Sequence, residues 1–125
     1  MSAHTSILLV DDHSAMRSTL CDILQDEGYK VQAATSGEEA IGLFQEKEGK
    51  FDAVLMDVRM TGIDGVEAFR RMKDLCAGVK VILMSAFSMD ELKEASLREG
   101  VVAFLSKPLN MDNLIDLIAE TVSVN

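Results

Sequence analysis

One repeated pattern limits what this chain can fold into. Short apolar runs alternate with helix-patterned segments, and most of the runs end on a polar or charged residue. Ile7 to Val10 leads into Asp11 and Asp12, Ala53 to Met56 into Asp57, Val81 to Met84 into Ser85, and Ala103 to Leu105 toward Lys107. With Lys30 to Ala34 these make five predicted strands. Three are continuously apolar, as expected of parallel strands covered on both faces.

The intervening segments carry helix signals. Apolar residues recur at helical spacing in Leu20, Ile23 and Leu24, in Ala40, Ile41 and Phe44, and in Leu114, Ile115 and Ile118. Ser36 with Glu39, and Ser88 with Glu91, have capping-box spacing, while Ser14 and Asn110 are expected to cap the first and last helices. Asp64 and Gly65 are read as the cap and start of the third helix. Gly28 and Gly100 stand where a left-handed residue closes a helix. Strict strand–helix alternation implies right-handed crossovers, hence an α/β fold with a doubly wound, five-stranded parallel sheet and five helices.

Composition narrows the function classes. The 125 residues suit one domain, and an apolar fraction of 48% argues for a packed core. Twelve Lys and Arg against 21 Asp and Glu give a net charge of −9, which opposes direct contact with a nucleic-acid backbone. The apolar runs are too short for membrane insertion. MSAHTS reads as a polar lead-in, so a cytoplasmic location is expected. Cys21 and Cys76 fit no metal spacing and are read as free thiols. The eight methionines are read as core or contact residues.

In a parallel sheet of this kind the ligand site lies at the carboxyl ends of the strands. Asp11, Asp12, Asp57, Ser85 and Lys107 should therefore converge on one edge. Taken singly, each could be a turn, cap or surface residue; the joint order is what is specific. Two carboxylates a few ångströms apart repel by roughly 3 kcal/mol at an intermediate dielectric. Three call for a proton or a cation, and open carboxylates suit Mg²⁺. A cation, an ammonium and a hydroxyl around one carboxylate suit a transferring phosphoryl group, with Asp57 as nucleophile.

These residues and their settings, ILLVDD, LMDVRMTGIDG, VILMSA and FLSKPL, resemble the receiver domain of two-component response regulators. The resemblance covers nearly the whole chain. It implies a single receiver domain over residues 1–125, with its core at about 6–122, and a flavodoxin-like strand order 2-1-3-4-5. It further implies that Asp57 accepts a phosphoryl group from a histidine kinase or a histidine phosphotransfer protein. Mg²⁺, or Mn²⁺ in its place, would be held by Asp12, Asp57 and the Arg59 backbone carbonyl, with Asp11 acting mainly through water. Lys107, the Ser85 hydroxyl and the Ala86 backbone N–H would hold the phosphoryl oxygens, and Phe104 would be the switch aromatic. The Lys107–Pro108 bond is expected to be cis. Phosphorylation would alter the surface of helix four, strand five and helix five, for a downstream protein or a homodimer. Met16, Arg17 and Leu109 are the kinase-docking candidates.

Two positions depart from the family's habits. Thr61 stands where members commonly have proline after a methionine, which restores an N–H and suggests a looser loop. Arg59 and Phe87 flank the acceptor region and are expected to tune phosphoryl lifetime. His13 could be a metal ligand or phosphate carrier, but as the residue opening helix one it is read as a surface or docking position. His4 has no assigned role.

Other classes fit less well. An aspartyl-nucleophile phosphatase needs an acid two residues past its nucleophile, where this chain has Arg59. A flavodoxin-like flavin binder needs a phosphate loop where Asp11-Asp12-His13 would repel phosphate. A receiver-like binding module that works without phosphorylation usually lacks the acceptor or the acidic pair, and all five site residues are present here. The expectation is therefore a signalling domain rather than an enzyme, whether free-standing or part of a longer regulator.

Overall fold

The computed structural model describes residues 5–86 and 90–123. The elements in chain order are β1 (Ser6–Val10), α1 (Ser14–Asp26), β2 (Lys30–Ala34), α2 (Gly37–Glu46), β3 (Ala53–Asp57), α3 (Gly65–Leu75), β4 (Val81–Ser85), α4 (Asp90–Glu99), β5 (Ala103–Ser106) and α5 (Met111–Ser123). All four neighbouring strand pairs are parallel, in the order β2-β1-β3-β4-β5. This is the flavodoxin-like α/β sheet that the alternation and the resemblance imply. Among the described residues no helix is long and apolar enough to cross a membrane.

The continuously apolar strands are buried because successive side chains leave a strand on opposite faces, and both faces are covered. Leu8, Val10, Val54, Met56, Val81 and Leu83 pack with Ala40 and Phe44 of α2 and Ala68, Phe69 and Met72 of α3. Ile7, Leu9, Leu55, Ile82 and Met84 pack with Leu20 and Leu24 of α1 and Leu114 and Ile118 of α5. Each fully buried Leu, Ile or Phe contributes about 1.5–3 kcal/mol of transfer free energy. The sheet centre is thus the rigid part of the molecule, and what its ends carry is held accurately.

Local signals explain most element boundaries. The Ser36 side chain accepts from the Glu39 N–H, Asp64 from the Glu67 N–H, and Asn110 from the Asn113 N–H. The reciprocal arm of the α2 box reaches one residue further back, where Glu39 Oε1 accepts from both the N–H and the hydroxyl of Thr35. Gly28 and Gly100 have φ of 95° and 113°, the left-handed values their positions suggested. Ser14 is not the cap of α1. It is the first helical residue, and the cap position belongs to His13, whose side chain makes no capping bond. The Ser88–Glu91 box involves a residue outside those described.

Candidate functional site

Three strands, β3, β4 and β5, run one residue further than their apolar patterns indicate, and the residues added to β3 and β4 carry the chemistry. Asp57 closes β3 opposite Met84, and Ser85 closes β4 opposite Ser106. The ladder continues past them, with Val58 N–H donating to the Met84 carbonyl and Lys107 N–H to the Ser85 carbonyl, each at 2.8 Å. The site therefore begins inside the sheet and not on a free loop.

Asp11 and Ser85 are fully buried, and Asp57 is 3% exposed. Lys107 Nζ lies 3.1 Å from Asp57 Oδ2 and 3.5 Å from Asp11 Oδ2. The Lys107–Pro108 bond is cis, as expected. Burial pushes the Asp57 carboxyl above the usual range. The Lys107 hydrogen bond and charge oppose that rise, the Asp11 charge adds to it, and a hydrogen bond from the Arg59 backbone N–H lowers it. Ligand atoms of Asp11, Asp12, His13 and Asp57 all lie within 4.8 Å of one another. Asp11 Oδ2 and Asp12 Oδ1 are buried without a hydrogen bond. Oxygens of this kind, in a corner of three carboxylates facing one ammonium, fit a hard divalent cation. Asp11, Asp12 and Asp57 are the carboxylates that could hold it.

Contacts across the chain set the carboxylates' orientation. Asp11 Oδ1 accepts from the His13 backbone N–H at 2.9 Å, and the Asp11 carbonyl accepts from Arg17 Nη1 at 2.8 Å. Asp12 Oδ2 accepts from the Thr61 N–H at 3.2 Å. The N–H that Thr61 has and proline would lack thus ties the loop to the acidic pair. Glu38 Oε2 accepts from the Ile63 N–H, and Gly65 N–H donates to the Val58 carbonyl. Sequence patterns missed Glu38 and the backbone N–H groups, because their partners lie far along the chain.

The remaining candidates divide by burial. Phe104 is 6% exposed and joins the core beside Leu83 and Val101. Arg59 and Ala86 are exposed. Met16 and Leu109 are half-buried against the α1–α5 side of the core. Arg17 is half-buried and donates from Nη1 to the Asp11 carbonyl. A mostly apolar cavity of about 540 Å³ opens at the site, lined by residues including His13, Met16, Thr19, Ala86, Lys107 and Met111. Phe87 and His4 lie outside the described residues. Cys21 and Cys76 are free and half-buried.

A 2-1-3-4-5 parallel sheet with an acidic cluster and a lysine at its carboxyl edge defines a receiver-type signalling domain. Residues 7–119 match the response regulator receiver domain, and the chain belongs to that family, whose members are phosphoacceptor signalling modules. It is 40% identical over 108 residues to the transcriptional regulatory protein ZraR of Escherichia coli K12, covering 86% of this chain and 24% of that protein. The chain thus spans about a quarter of that relative's length. It is 30% identical over 112 residues to sporulation initiation phosphotransferase F of Bacillus subtilis, covering 90% of this chain and 89% of that protein. Among solved structures, the response regulator protein TrrA of Thermotoga maritima in complex with Mg²⁺-BeF superposes with a TM-score of 0.83 at 32% identity. That match covers 94% of this chain and 98% of TrrA.

Proposed function

We propose that this chain is a single receiver domain in which Asp57 accepts a phosphoryl group from a phosphohistidine of a kinase or phosphotransfer protein. The observation that carries the reading is the pairing of a nearly buried Asp57 with Lys107 at 3.1 Å, beside two further carboxylates. An Asp57 oxygen forms the new bond to phosphorus as the bond from phosphorus to the donor imidazole nitrogen breaks. Lys107 holds a phosphoryl oxygen and offsets the charge that arrives. The Ser85 hydroxyl and Ala86 N–H, at the end of the adjacent strand, take the other oxygens. Asp12, Asp57 and the Arg59 carbonyl hold the cation, with Asp11 behind them. Mg²⁺, or Mn²⁺, supplies charge neutralisation of the phosphoryl oxygens when bound. The Mg²⁺-BeF complex of TrrA supports this choice of cofactor.

Ser85 drawn toward the phosphoryl group leaves room for Phe104, and the surface formed by α4, β5 and α5 changes with it. That surface binds a downstream protein or a second copy of the chain. The apolar cavity lined by Met16 and Met111 supports donor docking beside the site, with Leu109 further along the same side. The likeness to sporulation initiation phosphotransferase F supports a place in a phosphorelay. Arg59, exposed next to the acceptor, sets water's access to the acyl phosphate together with Phe87.

Incubation with Mg²⁺ and a small acyl-phosphate donor, read by intact mass, tests the reading. One added phosphoryl group is expected in the wild type and none in Asp57→Asn. No gain in the wild type, or an equal gain in the variant, would overturn it.

A further inference from the structure

His13, read from sequence as a surface or docking position, is exposed, and its ring nitrogen also approaches the acidic pair. Nδ1 lies 3.3 Å from Asp11 Oδ1 and 3.2 Å from Asp12 Oδ1. The second approach is not a hydrogen bond, since Asp12 Oδ1 is buried without a partner. Ligand atoms each about 2.0–2.2 Å from a small divalent cation lie about 3 Å apart when they subtend a right angle. The spacing of the imidazole nitrogen from Asp12 Oδ1 is therefore that of neighbouring ligands on one cation, while its contact with Asp11 Oδ1 is a hydrogen bond. Asp12 is already oriented, its Oδ2 accepting from the Thr61 N–H, so its remaining oxygen is the one that faces Nδ1, while Asp11 Oδ1 takes the His13 backbone N–H and Oδ2 faces Lys107.

We propose that His13 Nδ1 is a ligand of the divalent cation in this site, making a mixed oxygen and nitrogen donor set that favours Mn²⁺ and Co²⁺ over Mg²⁺. The proposal rests on the reading of Asp12 and Asp57 as cation ligands. Imidazole raises affinity for first-row transition ions, whereas Mg²⁺ takes oxygen ligands and keeps its waters. The His13 side chain is 73% exposed, so replacing it leaves the core untouched.

The test is titration of the chain with Mg²⁺, Mn²⁺ and Co²⁺ separately, with pulsed electron paramagnetic resonance on the Mn²⁺ form. His13→Ala is expected to weaken Co²⁺ binding about tenfold or more and to change Mg²⁺ binding less than about twofold. The Mn²⁺ spectrum should show coupling to an imidazole nitrogen in the wild type and in His4→Ala, which removes the other histidine of the chain, and should lose it in His13→Ala. An unchanged Co²⁺ to Mg²⁺ ratio in His13→Ala, or coupling that survives there, overturns the proposal. If Asp12→Asn binds Mg²⁺ as the wild type does, the underlying site reading fails, and this proposal with it.

Discussion

The Lys107 ammonium donates to Asp57 Oδ2 at 3.1 Å, and their side chains are only 14% and 4% exposed. Withdrawal from water makes the contact strong and also makes each charge costly without the other. Asp57 sits at the end of a buried strand and Lys107 follows another, so strand pairing in the sheet brings them together.

Loss of this ammonium should therefore disable the acceptor more than the fold. Lys107→Ala is expected to slow phosphoryl acceptance by about 100-fold or more, as when a positioned charge-stabilising group is removed. The Asp57 carboxyl, already raised by burial, should rise further without its cation. A carboxyl raised in the folded state loses stability as pH climbs from its unfolded value through its folded one. The variant should therefore lose more stability than the wild type between acid and neutral pH, seen by carboxyl ¹³C titration and thermal melts.

Carboxylate crowding predicts a stability signature. Asp12→Asn removes one charge from the cluster of Asp11, Asp12 and Asp57. It should raise the stability measured in chelator by about 1–3 kcal/mol, seen as a higher melting temperature. In the wild type, Mg²⁺ at 100 times its dissociation constant should add about 2.7 kcal/mol. Asp12→Asn should lose most of that increment, as calorimetry with and without Mg²⁺ would show.

Two glycines should respond in opposite directions. A Cβ on Gly65 would clash with the Asp57 carbonyl oxygen and stand 3.0 Å from Val58 Cα, backbone atoms at the end of β3 and just past it. Gly65→Ala should cost about 1–3 kcal/mol and slow acceptance, because β3 must shift. Gly42, inside α2, has nothing within 4 Å of its added Cβ. Gly42→Ala should stabilise by about 0.8–1 kcal/mol and leave acceptance unchanged. Urea melts paired with phosphorylation rates check both.

At the start of α2, Glu39 accepts from the backbone N–H and then the hydroxyl of Thr35, and these bonds hold its carboxyl below the usual range. A depressed carboxyl contributes stability above its unfolded value and loses it as pH falls through its folded one. Acidification should release the Thr35 amide, seen as a shift in its NMR resonance over the acid range. Glu39→Gln should remove that transition and leave the sheet intact.

The strands and the five chemistry-bearing residues were legible because period and order lie in the sequence itself. Runs such as VILM have one reading when both faces of a sheet are covered, and the polar residue after each run marks the sheet's edge. Contacts whose geometry follows only from the fold were not legible. The Thr61 N–H bond to Asp12 and the Arg17 bond to the Asp11 carbonyl are two such contacts. Glu38 reaches Ile63 across 25 positions with no periodic signal. Ser14 looked like a helix cap by residue type, but the backbone turns one residue earlier, at His13, because the Asp11 side chain draws in the His13 N–H.

The central claim is that Asp57, and no other carboxylate in the cluster, takes the phosphoryl group. Borohydride reduction of the phosphorylated chain converts an aspartyl phosphate to homoserine, and peptide sequencing by mass spectrometry then locates it. Homoserine at position 57 is the predicted result. Homoserine at position 11 or 12, or none in chain that has gained a phosphoryl group, would contradict the account.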